Sequence, residues 1–272
     1  MQKKLWLKFE KSWALITKLP FMPERIQKLI ANAGYASRRE SERLIEKGRI
    51  TLNNRPAKLG DKASLSDSIT IDGKKINLHR FKEKETKVIL LNKATGVVCT
   101  AKDEKNRDTV FNYLPDGHRW IMIGRLDINT SGHILFTNNG ELANRLMHPS
   151  YEIEREYSAR VLGELNSDHI KQMLNGVSLD DGIAKFDRVQ SGGGEGANRW
   201  YKVVIKEGRK REVRRVFEFF NLQVSRLIRI RFAGVGLKQN LKQNQVEELK
   251  PHQVNSLLNR VGLQKVKKHI QR

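Results

Sequence analysis

A mostly charged run, HRFKEKETK at 79–87, is the sequence feature that most constrains the fold of this chain. Because a run this rich in charge cannot contribute to a packed core, it is typical of a linker between domains. We predict four parts along the chain. They are an N-terminal extension expected to be flexible (1–22), a small domain (23–82), a larger domain (83–250) and a basic C-terminal tail (251–272).

The small domain begins with the pattern of two short helices. Apolar residues recur at helical spacing at Ile26, Leu29, Ile30 and Ala33. Gly34 suits the end of this first helix. Ser37 precedes Glu40 by three residues, which indicates the capped start of a second helix. Strand-like pieces and an Asp-Gly turn at 72–73 follow, and they predict a closing hairpin.

Charge indicates the kind of partner. The chain carries 52 basic and 30 acidic side chains, a net of +22, and the excess is concentrated in residues 1–85 and 233–272. Such an excess favours contact with nucleic-acid phosphates. An anionic membrane is a poorer match, because no long helix with one strongly apolar face accompanies the charge. On the second helix we expect phosphate contacts from Arg38, Arg39, Arg43 and Lys47, although neighbouring glutamates could instead pair with them.

The larger domain has the pattern of a mixed α+β fold in which strands outnumber helices. Successive βαβ units with a glycine-rich first turn are absent, which excludes a doubly wound nucleotide-binding fold. No apolar run approaches the length of a membrane span, and the first residues do not resemble a secretory signal. Cys99 is the single cysteine and the histidines are scattered, so we expect no disulfide and no metal site. We expect a cytoplasmic protein.

The loop GRLDINTSG at 124–132 lies between two apolar segments and is the most informative stretch for chemistry. A reactive side chain there would be held by a rigid scaffold. Asp127 is a possible nucleophile or base. Taken alone, however, Asp-x-x-Thr-Ser-Gly is also a good structural turn, and without further signals that interpretation is favoured. The basic run RKREVRR at 209–215 includes Val213, which predicts a helix with one buried face.

Several segments together resemble one family. The loop 124–132 resembles the signature of the pseudouridine synthases that modify small- and large-subunit ribosomal RNA. Further similar segments are LLNKATGVVCT (90–100), EREYSARV (154–161) and EGRKREVRRVFEFFNLQVSRLIRIRFAGVGL (207–237). Residues 24–78 resemble the alpha-L RNA-binding domain that precedes the catalytic domain in this family. Within the family, the last segment is most similar to the large-subunit enzymes.

The resemblance implies a small alpha-L domain followed by a mixed, mainly antiparallel β-sheet domain with flanking helices. It implies isomerisation of one uridine to pseudouridine without a metal or other cofactor. The expected partner is ribosomal RNA, in the large subunit or an assembly intermediate, and the expected state is a monomer. The alternative is a catalytically silent RNA-binding assembly factor on the same fold.

The resemblance also assigns residues. Asp127 matches the essential aspartate, Tyr157 the tyrosine that covers the flipped base, and Arg214 the basic residue that pairs with the aspartate. Arg125 matches an arginine that helps to displace the target nucleotide. We expect further RNA contacts from Lys93, Arg211 and Arg215. For Lys93, a phosphate contact and a plain turn lysine both remain open.

Overall fold

The computed structural model of the chain describes residues 23–78, 85–194 and 196–264. The chain divides into two compact units, Met1–Lys84 and Glu85–Arg272. The predicted extension over 1–22 and most of the predicted linker lie outside the described residues.

Over residues 23–78 the N-terminal unit forms two helices, α1 (Ile26–Asn32) and α2 (Arg38–Glu46). Ser37 Oγ accepts a hydrogen bond from the Glu40 N–H at 3.1 Å, which confirms the predicted cap of α2. Four strands form a small antiparallel sheet in the order β3-β2-β5-β6, and β1 pairs with β4. The strands are β1 (Glu24–Arg25), β2 (Ile50–Leu52), β3 (Arg55–Pro56), β4 (Lys62–Ala63), β5 (Ile69–Ile71) and β6 (Lys74–Lys75). The apolar side of α1 is buried in the core of this unit.

The described residues of the second unit form a nine-stranded sheet, a two-stranded hairpin and four helices. The strands are β7 (Val88–Lys93), β8 (Ile121–Ile123), β9 (Thr130–Thr137), β10 (Arg155–Leu162), β11 (Val177–Leu179), β12 (Gly182–Ala184), β13 (Arg188–Ser191), β14 (Asn198–Ile205), β15 (Gln223–Phe232), β16 (Val235–Gly236) and β17 (Val246–Glu248). The helices are α3 (Gly140–Met147), α4 (Ser167–Asn175), α5 (Glu212–Glu218) and α6 (Pro251–Arg260), with 3₁₀ turns at Val110–Tyr113 and Pro149–Tyr151.

The large sheet has the order β13-β14-β10-β15-β9-β7-β17, with β8 added to β9 and β16 to β15. Its described ladders are antiparallel except for the central pair of β9 and β15, which is parallel. The predicted α+β class with a mainly antiparallel sheet is therefore confirmed. The parallel pair joins the two halves of the sheet, and the loop 124–129 lies at its start.

Each half of the large sheet has its own helices. Helices α4 and α5 pack on the half that contains β10, β14 and β15. Helices α3 and α6 pack on the half that contains β7, β8 and β9. Within the described ranges, no helix combines the length and the apolar character that crossing a membrane requires.

The structure corrects the prediction of a separate tail over 251–272. Val254, Leu257 and Leu258 of α6 are buried in the same core as Leu142 and Leu146 of α3. Their spacing places them on one helical face, which explains why this part of the basic segment packs against the domain. Residues 265–272 lie outside the described part of the chain.

Candidate active site

Asp127 lies half-buried in the loop between β8 and β9. Its main-chain oxygen accepts hydrogen bonds from the Thr130 N–H at 3.0 Å and from Lys93 Nζ at 3.3 Å. Its carboxylate accepts no hydrogen bond from any residue in the described ranges. The backbone of the residue is therefore fixed, while its reactive group is left free.

Lys93, at the end of β7, holds this loop from within the protein. Its side chain is completely buried, and Nζ donates to the carbonyl oxygens of Ala94 at 2.9 Å and Thr130 at 2.8 Å. Longer contacts reach the carbonyl oxygens of Asp127 at 3.3 Å and Ile128 at 3.4 Å. Burial lowers the pKa of Lys93, and the nearby Cys99 and Asp127 partly offset this.

This geometry corrects the expectation that Lys93 contacts RNA. An ammonium group with no exposed surface cannot reach a phosphate, and its donors are already used on main-chain oxygens. Of the two roles that the sequence left open for Lys93, its contacts match the turn lysine. The lysine is buried, and the turn that it organises carries Asp127.

Three further contacts hold the backbone of the loop. The Gly96 N–H donates to the Ile128 carbonyl at 2.9 Å, and the Leu126 N–H donates to Cys99 Sγ at 3.4 Å. Arg214 Nη2 donates to the Asn129 carbonyl at 3.0 Å. Burial raises the pKa of the Cys99 thiol. No sequence signal pointed to Cys99, because its partner is a main-chain group distant in sequence.

Arg214 of α5 is buried and lies within electrostatic range of Asp127. Its Nη1 donates to the Val224 carbonyl at 2.6 Å and its Nη2 to Asn129. Burial lowers the pKa of Arg214, and the negative charge of Asp127 partly opposes that effect. The resemblance implied a direct pair between Arg214 and Asp127. In the structure the guanidinium instead binds main-chain oxygens, since no nitrogen of Arg214 lies within 4.0 Å of an Asp127 carboxylate oxygen.

Tyr157 lies in β10, close to the loop. It is buried in the same core as Leu126, the neighbour of Asp127. Tyr157 is opposite Arg229 of β15, and Arg229 is opposite Gly132 of β9. Two strand spacings of about 4.8 Å thus place Tyr157 roughly 10 Å from Gly132. The sheet brings Tyr157 and Asp127 to one region although thirty positions separate them in sequence.

Gly132, the last residue of the motif loop, and Arg229 have structural roles at the site that the motifs alone did not reveal. Gly132 has φ +102°, and a Cβ there would lie 2.3 Å from the Arg229 main-chain oxygen. Only glycine therefore permits β9 to approach β15 so closely. Arg229 is 1% exposed, and its Nε donates to the His133 carbonyl at 2.6 Å. Its guanidinium also lies 5.1 Å from the ring centre of Phe232.

An irregularity in the pairing of β10 with β15 explains why Arg229 and Arg231 lie on opposite faces of the sheet. The register shifts between Glu156 and Tyr157, which lie opposite Arg231 and Arg229. A regular strand would place Arg229 and Arg231 on one face. Here Arg229 is buried whereas Arg231 is exposed and pairs with Glu156 at 2.8 Å. Sequence periodicity cannot reveal such a shift.

The remaining predicted RNA contacts lie at the surface or near it. Arg125 is exposed, two residues before Asp127. Arg211 is exposed and pairs with Glu218 at 2.8 Å, and the half-buried Arg215 pairs with Asp181 at 2.9 Å. On α2 the exposed residues are Arg38, Arg39 and Arg43, followed by Lys47. Arg43 also pairs with Glu40 at 3.3 Å, so one of the predicted helical pairs forms. Their roles in RNA binding stay predictions.

The described ranges contain no group of three histidine, cysteine or acidic side chains arranged to hold a metal ion. The groups gathered around Asp127 are instead cationic or neutral. The site therefore offers one unengaged carboxylate, two buried cations near it, and one tyrosine on the adjoining strands.

Comparisons with known proteins identify the family of this chain. The family model of RNA pseudouridylate synthase matches residues 87–219, and that of the S4 domain matches residues 24–69. The chain belongs to the pseudouridine synthase family, and the predicted resemblance is confirmed.

Its relatives include Ribosomal large subunit pseudouridine synthase B of Yersinia pestis, which is 46% identical over 246 residues, 89% of this chain and 77% of that protein. The protein of the same name from Escherichia coli (strain K12) is also 46% identical over 246 residues, 89% of this chain and 84% of that protein. A crystal structure of a pseudouridylate synthase shares the fold, with a TM-score of 0.60 and 21% identity over 86% of this chain and 99% of that one.

Proposed function

We propose that this enzyme converts one uridine of large-subunit ribosomal RNA to pseudouridine, with Asp127 acting on the ribose. The observation that carries the proposal is the state of Asp127. Its loop is held by main-chain contacts, and its carboxylate has no protein partner among the described residues. The substrate follows from the names of the relatives, which cover most of this chain.

The reaction exchanges one bond to the base for another. The C1′–N1 bond breaks, the uracil turns, and C1′ bonds to C5. C5 then loses its proton and N1 gains one, so the atoms balance without an oxidant or a hydrolytic water. The Asp127 carboxylate can attack C1′ as a nucleophile or remove the C2′ proton to give a glycal. Either route acts at the ribose, and Lys93 and Arg214 place positive charge near the carboxylate in both.

The uridine must leave its RNA stack to reach a half-buried carboxylate. Tyr157 is the aromatic side chain available to cover the extruded base, since it lies beside the loop on β10. Arg125 is exposed on the same loop, where it can occupy the space that the nucleotide leaves. We further propose that α2 of the S4 domain contacts RNA phosphates, and that the enzyme acts in the cytoplasm as a monomer without a cofactor.

A pseudouridine map of ribosomal RNA tests this function. Cells that lack the gene are complemented with the wild type, with Asp127→Asn, or with the matched control Asp116→Asn, whose side chain is exposed. Carbodiimide-stop sequencing should show one site lost on deletion and restored by the wild type and Asp116→Asn only. Restoration by Asp127→Asn would remove Asp127 from the chemistry. An unchanged map on deletion would contradict the ribosomal substrate and favour a silent binding factor.

A further inference from the structure

One face of the large sheet is unusually basic. Strand alternation places Tyr157, Ala159 and Val161 of β10 in the core, and Tyr201 and Val203 of β14 with them. The intervening residues of β10 and β14 must point to the other side. We call that side the open face, and we define it by Arg160, Arg188, Trp200, Lys202, Arg226 and Arg231.

Strand register groups these residues in rows. Arg160 lies directly opposite Trp200 on one neighbouring strand and Arg226 on the other. Lys202 lies two residues along β14 from Trp200, about 7 Å away. The arginines and Lys202 are exposed, and Trp200 is half-buried. A tryptophan flanked by cations thus lies in one row across three strands.

Most of the charge of the open face is not paired within the described ranges. Glu156, which shares this side of β10 with Arg160, pairs with Arg231 at 2.8 Å. Arg160, Lys202 and Arg226 form no ion pair there. Like charges directly opposite each other on neighbouring strands destabilise a sheet, and solubility alone is served by mixed signs. The arrangement of Arg160 beside Arg226 therefore fits an anionic partner that offsets their repulsion.

Trp200 favours single-stranded RNA over other anionic partners. Sheets bind single-stranded RNA by stacking bases on exposed aromatic rings while basic side chains contact the phosphates. A duplex presents phosphates but keeps its base faces stacked internally.

We infer that the open face binds a single-stranded segment of RNA, with phosphates at Arg160, Arg226 and Lys202 and a base on Trp200. Because Tyr157 points to the opposite side of the sheet, this surface is distinct from the Asp127 site. The inference rests on the proposed function in taking RNA as the partner.

Binding of a fluorescein-labelled 12-nucleotide oligouridylate tests the inference. The variant pair Arg160→Gln and Arg226→Gln removes two phosphate contacts, each worth a slope of about 0.7 in log K against log salt for single strands. We expect the slope to fall by about 1.4 and the affinity to fall roughly 25-fold at 0.1 M salt. The control Lys171→Gln with Lys185→Gln makes the same charge change at exposed positions away from the open face and should bind as the wild type does.

Two further measurements distinguish loss of phosphate contacts from misfolding and locate the bound RNA. The charge-conserving pair Arg160→Lys and Arg226→Lys should retain the slope, and thermal melts of all variants verify folding. An oligouridylate that contains 4-thiouridine should cross-link to the peptide that carries Trp200. The inference would be overturned if the wild type and the folded Gln variant bound the oligouridylate equally, or if cross-links formed only at peptides outside the open face. It would also be overturned if the wild type bound only duplex RNA or only acidic protein.

Pseudouridine formation is measured separately on ribosomal RNA. If the wild type forms pseudouridine while the Gln variant keeps full oligouridylate affinity, the open face is refuted and the enzyme function stands. If the wild type forms none, the function fails, and the comparison of oligouridylate affinities still decides whether the open face binds RNA.

Discussion

Replacing Lys93 with methionine removes the cation that organises the loop of Asp127 but keeps most of the side-chain volume. Lys93 makes two short hydrogen bonds from a charged donor, at 2.8 and 2.9 Å, each worth about 1.5 to 3 kcal/mol. The burial cost of the ammonium, which lowers its pKa, offsets part of this. We expect the free energy of unfolding to fall by about 2 to 4 kcal/mol, a loss of roughly 4 to 16 °C in Tm.

Turnover should also fall, even where the variant is fully folded. A displacement of about 1 Å in a reacting group can cost about 100-fold in rate, and the loop carries Asp127. We expect at least this loss of pseudouridine formation at temperatures where Lys93→Met is fully folded by circular dichroism. RNA affinity and its salt slope should not change, because Lys93 has no exposed surface. Lys171→Met, at an exposed position, is the control. A reduced salt slope with wild-type stability would refute the structural role and restore Lys93 as a phosphate contact.

Three other perturbations follow from the structure. In urea denaturation, Gly132→Ala should lower the free energy of unfolding by at least about 3 kcal/mol, because its Cβ would lie 2.3 Å from a main-chain oxygen. The control Gly124→Ala, at φ +74° with open space around the Cβ, should lower it by about 1 to 2 kcal/mol. Changing Arg39 and Arg43 to Glu should weaken RNA binding and reduce its salt slope by about 1.4 to 1.8; an unchanged slope would exclude α2 as a contact surface. Burial raises the pKa of the Glu212 carboxyl, so the wild type should lose stability relative to Glu212→Gln as pH rises above about 4.5. A difference in the free energy of unfolding between the two proteins that stays constant from pH 4 to 8 would contradict this.

Features governed by neighbouring residues could be predicted from the sequence. The cap at Ser37 acts three residues along the chain, and the Asp-Gly turn lies between the strands it joins, so both were visible as local patterns. The motif loop was visible because its residue types recur in a family. The α+β class followed from the alternation of such local elements, without any knowledge of which strands are neighbours.

Features governed by distant contacts could not be predicted in the same way. Three of the four carbonyl oxygens that Lys93 contacts lie more than thirty positions further along the chain, and a lysine in a turn has the same local pattern whether it is buried or exposed. The exposure of Arg231, two residues after the buried Arg229, depends on a register shift against β10. The apolar face of α6 is buried because it packs in one core with α3, which lies far away in sequence.

The hydrogen bonds of the loop bear on the two interpretations that the sequence left open for Asp127. In a structural Asp turn the carboxylate accepts main-chain N–H groups two or three residues later. Here the Thr130 N–H donates to the main-chain oxygen of Asp127 instead, and Lys93 supplies the other donor to that oxygen. The turn is thus closed without the carboxylate. An aspartate that its own turn does not use, held beside two buried cations, supports the chemical interpretation over the structural one.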